Sequence, residues 1–206
     1  MKIAVFGATG PTGRHLVSQA LAQGHDVTAF ARRSLPQEDR LRVVVGDTFT
    51  QPDTVAAAIR GQDAVLSALG VGNTFLPHGL MERSVRNIVQ AMEREDVRRF
   101  VLMSAFGVGE SRQDAPLLAR LMYSTFLRAI FADKKAAEDY LRASGLEWTI
   151  GYPVLLTNGP LTRSYRVGER LPLRGIPTIS RADVAHFMLG ELARPQYLRR
   201  VAVISY

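Results

Sequence analysis

Three glycines, Gly7, Gly10 and Gly13, fall in the run Lys-Ile-Ala-Val-Phe-Gly-Ala-Thr-Gly-Pro-Thr-Gly at positions 2–13, and they are the residues whose type and spacing speak most directly of chemistry. A short apolar strand runs straight into them. Behind them Leu16, Val17, Ala20 and Leu21 share one helical face, with Gly24 as the stop. A tight strand-to-helix turn needs the backbone freedom of glycine, and a side chain there would keep a pyrophosphate from the amide N–H groups of the helix N-terminus. The pattern therefore reads as a dinucleotide site.

The residues after the second strand select the dinucleotide. An acidic side chain there would accept from the ribose 2′-OH of NAD, whereas arginine suits the 2′-phosphate of NADP through forked, charge-assisted hydrogen bonds. The chain has Arg32-Arg33-Ser34 and no carboxylate beside them, which favours NADPH. Asp47, closing the third strand, can accept from the adenine amino group or cap the next turn, and the two roles are compatible.

These residues need one sheet edge to sit on, and the alternation of strand and helix patterns supplies it. Strands are expected over 3–6, 26–31, 42–45, 64–69, 99–103, 147–151 and 200–205. Helices are expected behind Gly13, over 55–60 with Thr50 to Asp53 as a capping box, from His78 to about Glu95, from Asp133 as cap to Gly145, and from Ser180 through Leu192 with Asp183 completing a capping box. The fold class this implies is α/β, a Rossmann-type doubly wound parallel sheet of about seven strands with helices on both faces. In such a sheet ligands bind outside the carboxyl ends of the strands, where Gly7, Arg32, Asp47, Gly70, Ser104 and Pro153 all fall.

At 206 residues and 47% hydrophobic content the chain is long enough for one well-cored domain and short for two. A single domain over 1–206 is expected, with 107–132 and 154–180 as insertions that cover the substrate. The second insertion lacks periodicity and reads as irregular. The apolar segment 116–131 is too short, and too interrupted by Arg120 and Arg128, to span a bilayer, and suits a substrate lid, a dimer contact or the core, with lid or core favoured. Because the first strand begins at residue 2, no secretory leader is expected and a cytoplasmic location is. Without cysteine there is no disulfide, thiolate nucleophile or Cys-ligated zinc. The net charge of +7 does not imply nucleic acid, since the only lysines are Lys2, Lys134 and Lys135 and the arginines are scattered. It suits an anionic small molecule. His15, His25, His78 and His186 have no metal-ligand spacing, so no metal is expected. The expected partner is a small-molecule acceptor, with no nucleic acid, no membrane, and a monomer or weak homodimer.

The GxxGxxG spacing resembles the extended and atypical short-chain dehydrogenases. In that superfamily the end of strand five, here Ser104, places a hydroxyl near the nicotinamide. Active members usually add Tyr-x-x-x-Lys, in which lysine lowers the phenol pKa so that it can pass a proton to a carbonyl substrate. Here Lys135 is preceded at that spacing by Phe131 and Lys134 by Ile130, while Tyr123 and Tyr140 are out of register. Ordinary ketone reduction is thereby disfavoured. Hydride transfer to a flavin or a conjugated tetrapyrrole, where delocalisation spreads the charge, stays open.

More specifically, the chain resembles the family of NADPH-dependent flavin reductases, also called biliverdin-IXβ reductases, among the NmrA-like proteins. The matching stretches run nearly the whole length: Phe6 to Gly10 with Thr12-Gly13, Val44 to Asp47, Gly61 to Val65, Arg86 to Val89, Ser104-Ala105-Phe106, Ser144 to Leu146, Pro160-Leu161-Thr162, Ile179-Ser180 and His186 to Leu189. The resemblance implies that Gly7, Thr9, Gly10, Pro11, Thr12 and Gly13 hold the phosphates, Arg32 and Arg33 the 2′-phosphate and Asp47 the adenine end. It implies Leu69, Gly70, Ser104, Ala105, Pro153 and Val154 along the rest of the cofactor, with Ser104 catalytic. Phe106, Tyr123 and Leu155 would line a shallow apolar acceptor pocket. Where the family carries a histidine after the proline of strand six, this chain has Val154, and 107–131 also differs. The expected activity is NADPH-dependent reduction of FMN, riboflavin or biliverdin; the rival readings are a non-catalytic NADP(H)-sensing regulator and an NADPH quinone reductase.

Overall fold

Strand β1 (Lys2–Phe6) buries Ile3, Ala4, Val5 and Phe6 completely, so both of its faces are covered, as a central parallel strand requires. The structure is a computed structural model that describes residues 1–36, 38–70, 79–114 and 128–206. Strands β2 (Asp26–Ala31), β3 (Leu41–Val45), β4 (Ala64–Ser67), β5 (Arg99–Met103), β6 (Glu147–Pro153), β7 (Leu155–Thr157), β8 (Arg166–Gly168), β9 (Thr178–Ser180) and β10 (Arg200–Ser205) follow. The central sheet has eight strands in the order β3-β2-β1-β4-β5-β6-β10-β8. All neighbours pair in parallel except β8, which runs antiparallel to β10 with Ile204 opposite Val167. The order reverses between β1 and β4, and a ligand crevice belongs at that point.

Helix α1 (Pro11–Ala22) packs against α5 (Arg181–Ala193) on one face of the sheet. On the other, α2 (Pro52–Ile59) packs against α3 (Leu80–Arg94), and α3 against α4 (Arg128–Ala143). Among the described residues no helix is long and apolar enough to cross a membrane.

The α/β, doubly wound architecture agrees with the sequence, and the differences have local causes. The stretch expected to be irregular after Pro153 holds three short strands. There β8 extends the central sheet, giving eight strands rather than about seven, and β7 pairs with β9 in a separate two-stranded sheet. Three-residue strands carry too little periodicity to register. The capping box at Thr50 does not form. Instead the Asp47 carboxylate accepts from the N–H groups of Phe49 and Thr50, and Gln51 is the N-cap residue without a side-chain cap. Pro52 then starts the helix three residues earlier than expected, its fixed φ and missing N–H being suited to that position.

Asp133 does not open its own helix either, since α4 is already formed at Arg128. Its carboxylate crosses to α3, accepting from Met81 N at 2.9 Å and Glu82 N at 3.0 Å. The position before α3 is Gly79 at φ 74, which has no side chain to cap with, so the helix takes its cap from a residue 52 positions beyond Met81. The expected start at His78 lies outside the described residues.

Ser180 caps α5 as expected, accepting from Asp183 N at 3.0 Å. The Asp183 carboxylate reaches further than a capping box. It accepts from Thr162 N and Arg163 N at 2.9 and 2.8 Å, from the Thr162 and Ser180 hydroxyls, and from the Tyr206 hydroxyl at 2.7 Å. One carboxylate thus ties the excursion after β7 and the chain's last residue to the start of α5. Burial alone would raise its pKa, but the donors from Tyr206, Arg163, Thr162 and Ser180 outweigh it and hold the group below the ordinary carboxylate range. A depressed folded-state pKa stabilises the fold above the unfolded value and ceases to do so as pH falls through the folded one. Accordingly D183N lowers stability at neutral pH by about 1.5–3 kcal/mol, the contribution of hydrogen bonds to a charged group. In urea unfolding the gap between variant and wild type narrows in acid, where the wild type loses the same charge.

Candidate functional site

After β1 the chain turns through Gly7 at φ 76, a left-handed conformation that favours glycine. A Cβ on Gly7 would lie 2.7 Å from the Ala68 carbonyl oxygen at the end of β4, and one on Gly13 only 2.0 Å from the Gly7 carbonyl oxygen. Both glycines therefore serve close packing of α1 onto the sheet. Gly10 is different. It is the N-cap residue of α1 with φ −70, and its Cβ would meet nothing nearer than Gly7 O at 3.2 Å. No side chain caps α1 and no acidic residue sits in its first turn, so its first amides remain directed at the crevice for an anion. Pro11 occupies the first helical position, Thr9 is half-buried beside it and Thr12 is buried.

Beside this turn, at the end of β2, Arg32 and Arg33 are exposed, and neither makes a hydrogen bond or ion pair within the described residues. Asp47 performs the capping half of its expected role: Oδ1 accepts from Phe49 N at 2.8 Å and Thr50 N at 3.1 Å, and Gln51 Oε1 accepts from Asp47 N at 2.8 Å. Leu69, half-buried, and Gly70, exposed, follow β4 on the far side of the glycine turn. An uncapped helix start, glycine at its entrance and two free guanidinium groups one strand away fit a dinucleotide phosphate chain.

At the end of β5 the expected Ser104 has partners that the sequence did not disclose. Ser104, anchored by its N–H to Gly151 O, donates its hydroxyl to Glu138 Oε1 at 2.5 Å. Tyr152, at the end of β6, donates to Glu138 Oε2, also at 2.5 Å. Arg142 lies 4.0 Å from the same carboxylate and 3.4 Å from the Tyr152 oxygen, with its guanidinium stacked on Trp148. Lys134, Glu138 and Arg142 are spaced four apart, so α4 turns one stripe toward β5 and β6. That spacing was readable. The Tyr152 partner was not, because it arrives from another strand with no sequence proximity.

Burial pushes the Glu138 carboxyl above its ordinary range, against the hydrogen bonds of Ser104 and Tyr152 and the charges of Arg142 and Lys134. Burial likewise pushes the Lys134 ammonium down and, with the Glu138 charge, the Tyr152 phenol far up. Lys135 points away, in an exposed ion pair with Asp139. Of the remaining expected site residues, Ala105 is half-buried, Phe106, Pro153 and Val154 are buried, and Leu155 is 60% exposed on β7. Phe106 N bonds Pro153 O and Val154 N bonds Ile204 O, which fixes the loop ends to the sheet. Tyr123 lies outside the described residues. Among the described residues no three His, Asp or Glu side chains are grouped to hold a metal ion.

A doubly wound sheet with an uncapped glycine turn at its switch point defines a dinucleotide-binding α/β protein. The chain belongs to the NAD(P)H-binding family, whose pattern it matches over residues 7–195. It is 31% identical over 172 residues to an uncharacterised chloroplastic protein of Arabidopsis thaliana, covering 78% of this chain and 61% of that one. The uncharacterised protein YwnB of Bacillus subtilis is 28% identical over 100% of this chain and 99% of its own. Among solved structures, a short-chain dehydrogenase/reductase of Veillonella parvula in complex with NADP superposes with a TM-score of 0.84 at 20% identity, covering 100% and 94% of the two chains. ChuY, an anaerobilin reductase of Escherichia coli O157:H7, does so with 0.81 at 23% identity, covering 99% and 96%.

The two glycine roles separate experimentally. G13A, forced against backbone, destabilises by at least about 1–3 kcal/mol, the range for overpacking. G10A folds with a melting temperature close to wild type, yet weakens dinucleotide binding about tenfold or more in a fluorescence titration, the loss of about one charge-assisted hydrogen bond.

Proposed function

We propose that the protein is an NADPH-dependent oxidoreductase that passes hydride to a planar conjugated acceptor, a bilin such as biliverdin or a free flavin such as FMN or riboflavin. The observation that carries this reading is the state of Tyr152. It shares the Glu138 carboxylate with Ser104, yet it is 1% exposed and commits its proton there. A phenol so placed cannot itself reach a bound ketone in the manner of Tyr-x-x-x-Lys, and Phe131 and Ile130 hold the positions where that tyrosine would stand. An acceptor that stabilises added electrons by delocalisation suits a site without a direct phenol donor.

In this reading the first amides of α1 hold the pyrophosphate, and Arg32 with Arg33 grips the 2′-phosphate. Asp47 accepts from the adenine through the carboxylate oxygen that its turn leaves free. When bound, the reduced nicotinamide supplies the hydride. Ser104 lies beside it, and the segment 154–180 covers the acceptor and excludes water; much of the expected cover over 107–132 lies outside the described residues. The same fold in ChuY, named for its action on anaerobilin, is in keeping with a tetrapyrrole acceptor.

Steady NADPH oxidation that starts only when biliverdin, FMN or riboflavin is added is the expected result. Tight NADPH binding without turnover on any of them, together with unequal affinities for NADP+ and NADPH, would instead make the protein a redox sensor. R32A raises the Kd for NADPH about tenfold to a hundredfold, the contribution of a charge-assisted pair, and leaves that for NADH unchanged. Equal losses for both cofactors would remove the 2′-phosphate role from Arg32.

A further inference from the structure

Glu138 is a carboxyl group held 2% exposed between the strand ends and the interior, and the proposed reaction leaves it unassigned. Its two oxygens join two hydroxyls that face different ways. On one side stands Ser104, 5% exposed, at the carboxyl end of β5 where the ligands of such a sheet bind. On the other stands Tyr152, which forms part of the wall of a cavity of about 170 Å³, together with Ser111, Arg142, Arg199 and Arg200. A cavity of that size with polar walls accommodates several waters, each needing about 30 Å³. The three groups are linked by two hydrogen bonds of 2.5 Å, so a continuous hydrogen-bonded path runs from cavity to crevice.

Resting on the reductase reading above, we propose that Glu138 is the proton reserve of the reaction: it passes a proton through the Ser104 hydroxyl to the acceptor, and regains one from the cavity by way of Tyr152. When bound, the reduced nicotinamide would supply a hydride, with its electron pair, to a bridging carbon of a linear tetrapyrrole, being oxidised as the acceptor is reduced. The Ser104 O–H bond breaks as an N–H bond forms on a pyrrolic nitrogen. The Glu138 O–H bond breaks as that of Ser104 is remade, leaving a carboxylate. A proton from solvent, carried by the cavity water, then protonates Tyr152 as Tyr152 gives its own proton to Glu138, so that one solvent proton is consumed per turnover.

The surroundings suit a group that holds its proton above the ordinary carboxylate range. From its own helix Glu138 faces Lys134 and Arg142; β5 and β6 present only the hydroxyls of Ser104 and Tyr152, and the turn at Gly109 presents backbone. Desolvation outweighs these favourable contacts, so the protonated form persists above the ordinary carboxylate range. The assignment narrows the substrate. A flavin that accepts hydride at its N5 becomes a stable anion and needs no accompanying proton, whereas a bilin does. The site is therefore built for the acceptor that takes both.

E138Q, which is isosteric, tests the assignment against a positioning role. In the cofactor-free protein, infrared spectra show a protonated carboxyl band that persists above the pH at which other glutamates ionise, is absent in E138Q, and shifts in S104A. With NADPH, E138Q lowers the rate on biliverdin about a hundredfold, the usual contribution of a general acid. The rate on FMN and the Kd for NADPH stay within about twofold of wild type. Should E138Q fail to fold, the shift of the carboxyl band in S104A and the loss of the biliverdin rate in that variant carry the test. Y152F keeps the first turnover and slows those after it. A Glu138 that ionises in the ordinary range overturns the proposal, as does an equal loss on both acceptors. Wild-type protein that turns over neither acceptor overturns the reductase reading and the relay with it, a failure seen before any variant is made.

Discussion

Helix α1 lies so close to β1 that a single carbon on Gly13 would come within 2.0 Å of the Gly7 carbonyl oxygen, and much of the molecule is arranged around that approach. It sets the N-terminus of α1 directly over the gap between β1 and β4, where the sheet order reverses. Gly7, in a left-handed conformation against the end of β4, makes the turn short enough to reach it. The back of α1 in turn rests on α5, to which Gln19 donates at Ala182 O over 2.9 Å. The start of α5 is where Asp183 gathers the excursion after β7 and the C-terminus. A shift of α1 outward by one methyl group would thus be felt at both ends of the chain, because packed interiors transmit displacement rather than absorb it.

Two buried acids show how differently the fold treats a charge it needs for structure and one held beside a reactive edge. Glu191, on α5, meets the Arg99 guanidinium at 3.4 Å, the Thr149 hydroxyl, and the N–H groups of Gln196 and Tyr197. Its charge is matched by a cation and fully solvated by donors, the condition under which a buried ion pair is tolerated. Glu138 receives only two hydroxyls, with Arg142 at 4.0 Å and Lys134 along the helix. Fewer donors and a more distant cation leave desolvation unbalanced, so its neutral form is favoured. One acid lies at the amino ends of β5 and β6, away from the crevice. The other lies at their carboxyl ends.

What could be read from the chain was what depends on near neighbours. The glycine turn, the buried run of β1, the two arginines after β2 and the Ser180 cap each declare themselves within a few residues, and each stands where its pattern indicates. The expected strand ends were recovered to within two residues, since β-branched and apolar runs have sharp borders. The pieces that escaped are those whose partner is remote. Asp133 beside a helical run looks like that helix's cap, and nothing nearby tells that α3 lacks one of its own. Tyr152 looks like one more aromatic in a buried strand until α4 brings Glu138 to it. Strand β8 is three residues long, and what makes it a strand is the unpaired edge of β10 rather than its own sequence.

Helix α4 shows why adjacent residues can carry unrelated duties and still depend on one another. Successive positions on a helix turn by about 100°, so Asp133 reaches α3 while Lys134, one residue on, begins the stripe that continues through Glu138 and Arg142 to β5 and β6. The cap that Asp133 supplies fixes the rotation of α4 about its own axis, because two N–H groups of α3 must both find the same carboxylate. Arg86 of α3, stacked on the Tyr140 ring at 4.5 Å, fixes it again two turns later. With that rotation set, Glu138 has one orientation in which each oxygen meets a hydroxyl. A contact that satisfies the start of one helix thereby aims the reactive face of another, and the geometry around Ser104 is inherited from a helix cap at the other side of α4.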